Sequence, residues 1–515
     1  MFTAYLLFIL CIICFLGYFL REYRCSAFYW CDVIVSFILS FIISSGFDTC
    51  PFFAGRIDDD STVFLYIAKR MQEGRIPYAD MFDHKGPLLY FIEFVGWSLG
   101  KKIGIWILLI VGISISIMMT IFIVRLITDR LIVQYIVPII IYAIYGLVFF
   151  ERGNYSETWA LPWICFSLYV FIKVLSGKKC RPFEIAICGL SCMAIIMLRA
   201  NMVGVFVCFI PIIAVCYIVK KQVKILLIYA GLFITGFVVG SIPFIIYFII
   251  NHSFSRFIEY YWLFNITYTQ NNELGEFTTN MDYIGVYKAI LLYLFPGLII
   301  TVMALFKARK SLIFWSNIAF ISLSIYLALL APRTYLHYII PLLPTFIIPV
   351  ALVVDWVCSS KIPVLHELNN KSRFVSIGLT IVLAISSLVL SVFSSSRNIY
   401  YMGKDEELIN FVLKNTAPED DVLFVNCAAY YYLVTNRKTD NEFFYQYPPI
   451  VMSEELKDRF WEEIKSIKSD CIIVNTGYMY NMAPHPLFSV DLDEYLIALG
   501  YRYEKKENFC VYIKE

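Results

Sequence analysis

The chain has 515 residues, of which 60% are hydrophobic, 17% aromatic and only 16% charged, and its mean hydropathy is +0.72. Soluble domains of that size do not have this composition, so the chain reads as a polytopic α-helical membrane protein. A net charge of +2 is too near neutral to point to nucleic acid as a partner.

In lipid an unpaired backbone amide finds no partner, so each apolar run of roughly 17–25 residues must be helical. Such runs lie at about 1–20, 27–46, 103–124, 132–150, 159–176, 183–199, 202–220, 225–250, 286–306, 311–331, 336–357 and 374–394, which predicts about 12 spans. The first run lacks a basic leader and is expected to stay as a helix. Arg21/Arg24, Arg125/Arg130, Lys178/Lys179/Arg181, Lys220/Lys221/Lys224, Lys307/Arg309/Lys310 and Lys361/Lys371/Arg373 fall in alternate loops, which the positive-inside rule assigns to the cytoplasm. The loops at 47–102, 151–158, 251–285 and 332–335, and everything after about 395, are then extracytoplasmic. The 15 cysteines lie mostly within the runs at irregular spacing, and Cys50, Cys427, Cys471 and Cys510 are the expected exterior ones. Neither a disulfide framework nor a zinc site is predicted.

Composition changes at Ser394-Ser-Ser-Arg397, dividing a membrane body, 1–394, from an expected soluble extracytoplasmic α/β domain, 395–515. In the latter, 406–414 and 453–467 read as helices, and 421–426, 470–475 and 508–514 as short strands. It carries no glycine-rich phosphate loop, and an accessory role is the expectation. No internal repeat is visible, which disfavours transporters built from duplicated halves.

The first loop concentrates polar chemistry. Asp58-Asp59-Asp60-Ser61-Thr62 precedes Val63, Phe64, Ile67, Ala68 and Met71 on one helical face, with Gly74 and Pro77 ending the segment. This predicts a short amphipathic helix along the membrane surface, with one aspartate as its N-cap and the others as first-turn charges. Three adjacent carboxylates also repel one another, and desolvation raises their proton affinity, as a general base requires. Downstream, Gly86-Pro87 opens a helix whose free N–H groups point toward His84 and Lys85. Cations at a helix start oppose its dipole, so an anion is expected there: either Asp80 or Asp83 of the same loop, or a bound phosphate.

Three other outer segments carry charge. Glu157 sits at the mouth of a helix, as a metal ligand, a cation partner or a first-turn residue. Arg199 and Asn201 occupy a tight turn, the arginine either snorkelling or facing an anion. Arg333 and His337 are spaced one helical turn apart, as in a phosphate clamp or an interfacial belt. The loop 251–285 is rich in Tyr, Trp, Asn and Gln, like a surface that stacks on sugars, although aromatic belts look the same.

These motifs, in order, are Asp60-Ser61-Thr62-Val63-Phe64, Gly74-Arg-Ile-Pro77-Tyr78-Ala-Asp80, Asp83-His84-Lys85-Gly86-Pro87-Leu88, Asn154-Tyr-Ser-Glu157-Thr-Trp-Ala-Leu-Pro162, Arg199-Ala-Asn201 and Arg333 through His337-Tyr338. The set resembles bacterial GT-C glycosyltransferases, in particular the group related to protein O-mannosyltransferases and lipid A aminoarabinose transferases. The resemblance spans most of the membrane body and does not reach 395–515. It implies a GT-C-like fold in the bacterial cytoplasmic membrane, with its site on the extracytoplasmic side. The implied activity is inverting transfer of a sugar from a polyprenyl-phosphate donor to a hydroxyl of a glycan, lipid or protein acceptor. By the same resemblance Asp60 is the base, Asp59 the second choice and Glu157 an acidic partner, while Lys85, His84, Arg199, Arg333 and His337 neutralise the donor phosphate. Asp58, Asp80, Asp83, Tyr78 and Asn201 are further loop candidates. No cofactor is firmly implied; whether a divalent cation is used stays open, with Asp60 and Glu157 as its candidate ligands. A triple aspartate where the family pattern expects one, and an extra N-terminal helix, are departures from that pattern.

Two other readings compete. A lipid-linked oligosaccharide translocase calls for charges along the span midplanes, and an O-antigen-type polymerase calls for arginine-rich outer loops. Here Arg and Lys cluster at span ends, and the polymerase reading gives no role to the aspartate loop or to a separate C-terminal domain; a catalytically inactive scaffold is a third alternative.

Overall fold

The computed structural model describes residues 27–53, 55–270, 280–330, 335–359, 402–446, 453–467, 469–475, 491–506 and 509–514. The predicted spans at 1–20 and 374–394, the boundary at Ser394–Arg397 and Arg333 lie outside these residues.

The body is helical where the sequence is apolar. Helices run over Ala27–Ser44, Lys102–Arg125, Leu131–Pro138, Ser156–Leu175, Pro182–Ile196, Gly204–Val219, Val223–Ile250, Asn280–Ala308 and Leu312–Ala328. Pro138 is followed by a π-helical stretch, Ile139–Tyr145, and Pro341 and Pro344 lie within a 3-10 stretch, Leu336–Phe346, that continues into Ile347–Ser359. A proline removes a backbone donor, so the helix rewinds around it. Four helices are long and apolar enough to cross a membrane: Lys102–Arg125, Ser156–Leu175, Val223–Ile250 and Leu336–Ser359. Other apolar helices among the described residues are shorter, Pro87–Gly100 with 14 residues, Pro182–Ile196 with 15 and Gly204–Val219 with 16, so the structure does not itself establish 12 spans.

Val223–Ile250 leaves Leu227, Ile234, Val239 and Ile250 more than half exposed, which is the surface of a helix solvated by lipid. Its inner face crosses Pro182–Ile196 at Gly236 and Gly189, where a Cβ would strike the carbonyls of Ala186 and Phe233. Small residues allow that approach. At the end of the bundle opposite the first loop, basic residues pair with acids: Arg125 with Asp32 (2.6 Å), Arg130 with Asp355 (2.6 Å) and Lys173 with Glu184 (2.7 Å).

The C-terminal part holds helices Met402–Asn415 and Glu454–Ile467 and a four-stranded sheet. In the order β1 (Val422–Val425), β2 (Cys471–Asn475), β4 (Phe509–Lys514) and β3 (Tyr501–Lys505), β1 and β2 are parallel and the other pairs antiparallel. Three strands match the sequence reading; β3, whose Tyr-Arg-Tyr-Glu-Lys has little apolar content, does not.

The helix predicted after the aspartates is present as Asp59–Gln72, but both its faces are covered. Tyr66 stacks on Tyr432 (4.5 Å) and its hydroxyl accepts the Thr439 N–H (3.0 Å), while Arg70 pairs with Asp440 (2.8 Å). Chain from the C-terminal part therefore lies on the face that the sequence assigned to solvent. The aromatic segment after residue 251 is also a scaffold: Phe257, Tyr260 and Tyr261 are buried, packing on Tyr78, Phe82 and Phe248. These three rings are therefore not open to a sugar, and residues 271–279 of the same loop lie outside the described residues.

Candidate active site

The three aspartates have three different environments. Asp58 is the N-cap, its Oδ2 accepting the Asp60 N–H at 3.2 Å. Asp59 pairs with Arg56 at 3.1 Å. The Asp60 carboxylate accepts no hydrogen bond and has no ion-pair partner at bonding distance among the described residues, and its charge acts on Lys85. The carboxyl with raised proton affinity is Asp58, pushed well above the usual range by burial and then by the charges of Asp60, Asp48 and Asp59. Beneath this turn lies Asp48, fully buried. It accepts the Asp58 N–H (3.0 Å) and the Ser61 hydroxyl (3.4 Å), and burial pushes its carboxyl up to about 7. Nothing in Gly46-Phe-Asp48-Thr-Cys marks that role in the sequence.

The following segment is fixed by its own polar groups. Asp80 accepts the Ile76 N–H (2.7 Å), closing a turn. Asp83, 2% exposed, accepts the hydroxyls of Tyr90 and Tyr445 (both 2.6 Å) and the His84 N–H (2.7 Å). Tyr78, at φ 66°, donates its hydroxyl to the Lys85 carbonyl (2.6 Å). A non-glycine residue in that region carries strain of about 1–2 kcal/mol, which its full burial sustains. Asp80, Asp83 and Tyr78 are thus structural.

Gly86 then sets the geometry. Its N–H donates to the Leu198 carbonyl (3.1 Å), the Leu88 N–H donates to the Met197 carbonyl (3.0 Å), and a Cβ on Gly86 would fall well inside van der Waals contact of the Met197 oxygen. This docking brings Lys85 alongside Arg199. It also gives one of the open N–H groups of the Pro87 helix to Met197, so the helix start is partly committed. Gly86→Ala is expected to cost about 1–3 kcal/mol by overpacking, and to separate the two cations; thermal unfolding and lipid binding of the variant check it.

Burial pulls the Lys85 ammonium down, but Asp60, Tyr338 and Glu157 outweigh it and hold the group above its ordinary range, so it stays charged. Lys85 makes no ion pair at bonding distance among the described residues. His84 is held well below its usual range by burial and then by Lys85 and Arg199, which works against a charged ring beside a donor phosphate. Asn265 caps its carbonyl (2.7 Å).

Arg199 is ion-paired with Glu157, and its guanidinium lies 4.0 Å from the centre of the Tyr338 ring. It faces the bundle rather than snorkelling. With Asn201, these three residues line a small cavity together with the apolar side chains of Ile164, Phe320 and Leu327. The Asn201 Nδ2 donates to the Leu327 carbonyl (3.3 Å). His337, in the 3-10 stretch, pairs with Glu151 (2.9 Å) and stacks on Tyr155 (4.1 Å). Asp60, Lys85, Glu157, Arg199 and Tyr338 therefore share one electrostatic neighbourhood. Tyr338 was quoted in a motif without a role, and its ring under Arg199 gives it one.

A divalent cation does not fit the donors present. Glu157 gives Oε1 to Arg199 and Oε2 to the Ser156 hydroxyl (2.9 Å), and among the described residues no group of three His, Cys, Asp or Glu could hold a metal ion.

Residues 30–373 match the family model described as "Putative competence-induced protein Ccs4 N-terminal domain". The chain belongs to this family. No curated protein matches it by sequence. In structure, this Ccs4-family chain is similar to ArnT from Cupriavidus metallidurans bound to undecaprenyl phosphate, with a TM-score of 0.62 at 10% identity over 95% of this chain and 98% of that one. Apo ArnT gives a TM-score of 0.57 at 11% identity over the same shares. At such identities the likeness is one of fold, and it bears out the GT-C resemblance carried by the motifs. It also extends beyond the family match, through the C-terminal sheet.

Proposed function

We propose that this Ccs4-family protein is a membrane glycosyltransferase that moves a sugar from a polyprenyl-phosphate donor to a hydroxyl acceptor on the extracytoplasmic side, with inversion. The observation that carries the reading is Asp60, a carboxylate without bonded partners among the described residues, which acts on Lys85, a charged lysine without an ion pair among them, on an ArnT-like fold. ArnT binds undecaprenyl phosphate in one of its structures. In this reading Asp60 accepts the proton of the acceptor hydroxyl as its oxygen attacks the anomeric carbon. The bond from that carbon to the phosphate oxygen breaks, and polyprenyl phosphate leaves with the electron pair. Lys85 meets the charge that develops on the phosphate, and Arg199, balanced by Glu157, stiffens the same wall. Charge gathered at helix ends and loops, rather than along midplanes, supports transfer over translocation.

Purified protein in nanodiscs is expected to bind undecaprenyl phosphate and to release it from a labelled polyprenyl-phosphate sugar when hydroxyl acceptors are present. Lys85→Met should weaken lipid binding about 10–100-fold, the worth of a hydrogen bond to a charged group. Wild-type protein that neither binds the lipid nor turns over the labelled donor overturns the reading.

A further inference from the structure

The segment Asn441–Gln446 reaches the first loop from the C-terminal part and is pinned at its own end. The Asn441 side chain accepts the Phe443 N–H (2.9 Å), and Gln446 accepts the Asn426 N–H (2.9 Å) while donating to the carbonyls of Phe424 (3.2 Å) and Phe443 (2.8 Å). From this anchorage the Glu442 carbonyl accepts the Phe82 N–H (2.9 Å), Phe443 stacks on Phe82 (5.6 Å), and the Tyr445 hydroxyl donates to Asp83 Oδ1 (2.6 Å). Tyr445 is buried deeply enough to sense the charge of Asp60 as well as that of Asp83. The strap thus touches the loop immediately before Lys85.

Asp83 needs those donors. A buried carboxylate short of hydrogen bonds is drawn to the nearest cation, and two residues on stands Lys85. With Tyr90, Tyr445 and His84 supplying three donors, Asp83 is hydrogen-bonded without direct contact from the ammonium, whose charge it nevertheless feels. Without the Tyr445 hydroxyl, Oδ1 loses its one tyrosine donor and is left with the adjacent His84, through its N–H (2.7 Å) and its ring Nδ1 (3.4 Å).

We propose that Tyr445 is a positioning residue for Lys85: by occupying Asp83 it keeps that carboxylate off the lysine and leaves the ammonium for the anionic group of the ligand. The C-terminal strap is then a wall of the binding site, not a separate cover. This rests on the reading of Lys85 as the phosphate-binding cation.

Tyr445→Phe removes one oxygen and keeps the ring. In the full-length protein in nanodiscs, its undecaprenyl phosphate affinity is expected to fall about 5–50-fold, with the melting temperature little changed. In an Asp83→Asn background, where no anion competes for Lys85, the same substitution should have no further effect. A merely structural tyrosine would lower stability in both backgrounds without that rescue. Affinity within twofold of wild type in Tyr445→Phe, or an undiminished loss in the Asp83→Asn background, overturns the proposal. Amide exchange of residues 82–86 without lipid separates this from the functional reading: it should rise in Tyr445→Phe. If wild type fails to bind the lipid, the functional reading falls while exchange still decides the strap, and unchanged exchange overturns the strap too.

Discussion

Replacing Asp60 with asparagine is expected to lower sugar transfer about 10²–10⁴-fold, the span that a positioned general base contributes, while the fold is kept. The neighbouring carboxylates are engaged elsewhere. Asp58 caps the helix, and Asp58→Asn keeps a good cap, since asparagine is as favourable there. Asp59 forms a partly exposed pair with Arg56, worth about 0–1 kcal/mol, so Asp59→Asn should be mild in stability and in rate. Asp60 caps nothing and bonds to nothing at close range among the described residues, so its loss should not reach the melting temperature. It does remove a negative charge that acts on Lys85. Asp60→Asn should therefore hold undecaprenyl phosphate at least as tightly as wild type while failing to turn over the donor. That split separates a base from a binding residue. An unchanged rate in Asp60→Asn, or a larger loss in Asp59→Asn, would falsify the assignment.

The parts legible in the sequence were those fixed by local rules. Helix starts at Asp58 and at Gly86-Pro87 depend on residues within one turn, and both occur where the pattern puts them. The ordered loop motifs likewise pointed to the fold, through the family they resemble. Contacts between distant segments left no trace in it. Asp83 was ambiguous between pairing within its loop and leaving a phosphate to do so, and the answer came from Tyr445, 362 positions away. The helix Asp59–Gln72 carries an apolar stripe that reads as a membrane-surface element; only the C-terminal chain lying on Tyr66 and Arg70 shows that its other face is buried. His84 was counted as a cation by residue type, and its burial beside two cations, which lowers its proton affinity, leaves no mark in the sequence.

Arg199→Ala is expected to be among the most destabilising single substitutions in the site. The Glu157 side chain is 4% exposed and that of Arg199 18%, so removing the guanidinium leaves a buried carboxylate with the Ser156 hydroxyl and the more distant charges of His337 and Lys85. Breaking one side of such a buried pair costs about 3–5 kcal/mol, because the remaining charge has lost its compensation. Arg199→Lys should recover only part of this: an ammonium can pair with Glu157 but lacks the planar fork and the stacking on Tyr338. Replacing both partners with glutamine, Glu157→Gln with Arg199→Gln, removes both charges together and should be more stable than Arg199→Ala, as neutral replacement of buried pairs generally is. Thermal unfolding of the four proteins in the same detergent orders them wild type, double variant, then Arg199→Ala, with Arg199→Lys above Arg199→Ala. The ordering also tests the role of Glu157. If that carboxylate were a catalytic base or a metal ligand, Glu157→Gln would stop turnover without moving the melting curve, and Arg199→Ala would leave stability intact. If its task is to hold Arg199 in the wall beside Lys85, stability falls first and activity follows it. An Arg199→Ala protein that melts with wild type removes the pair from the architecture of the site, and with it the reason to place Arg199 at the donor phosphate.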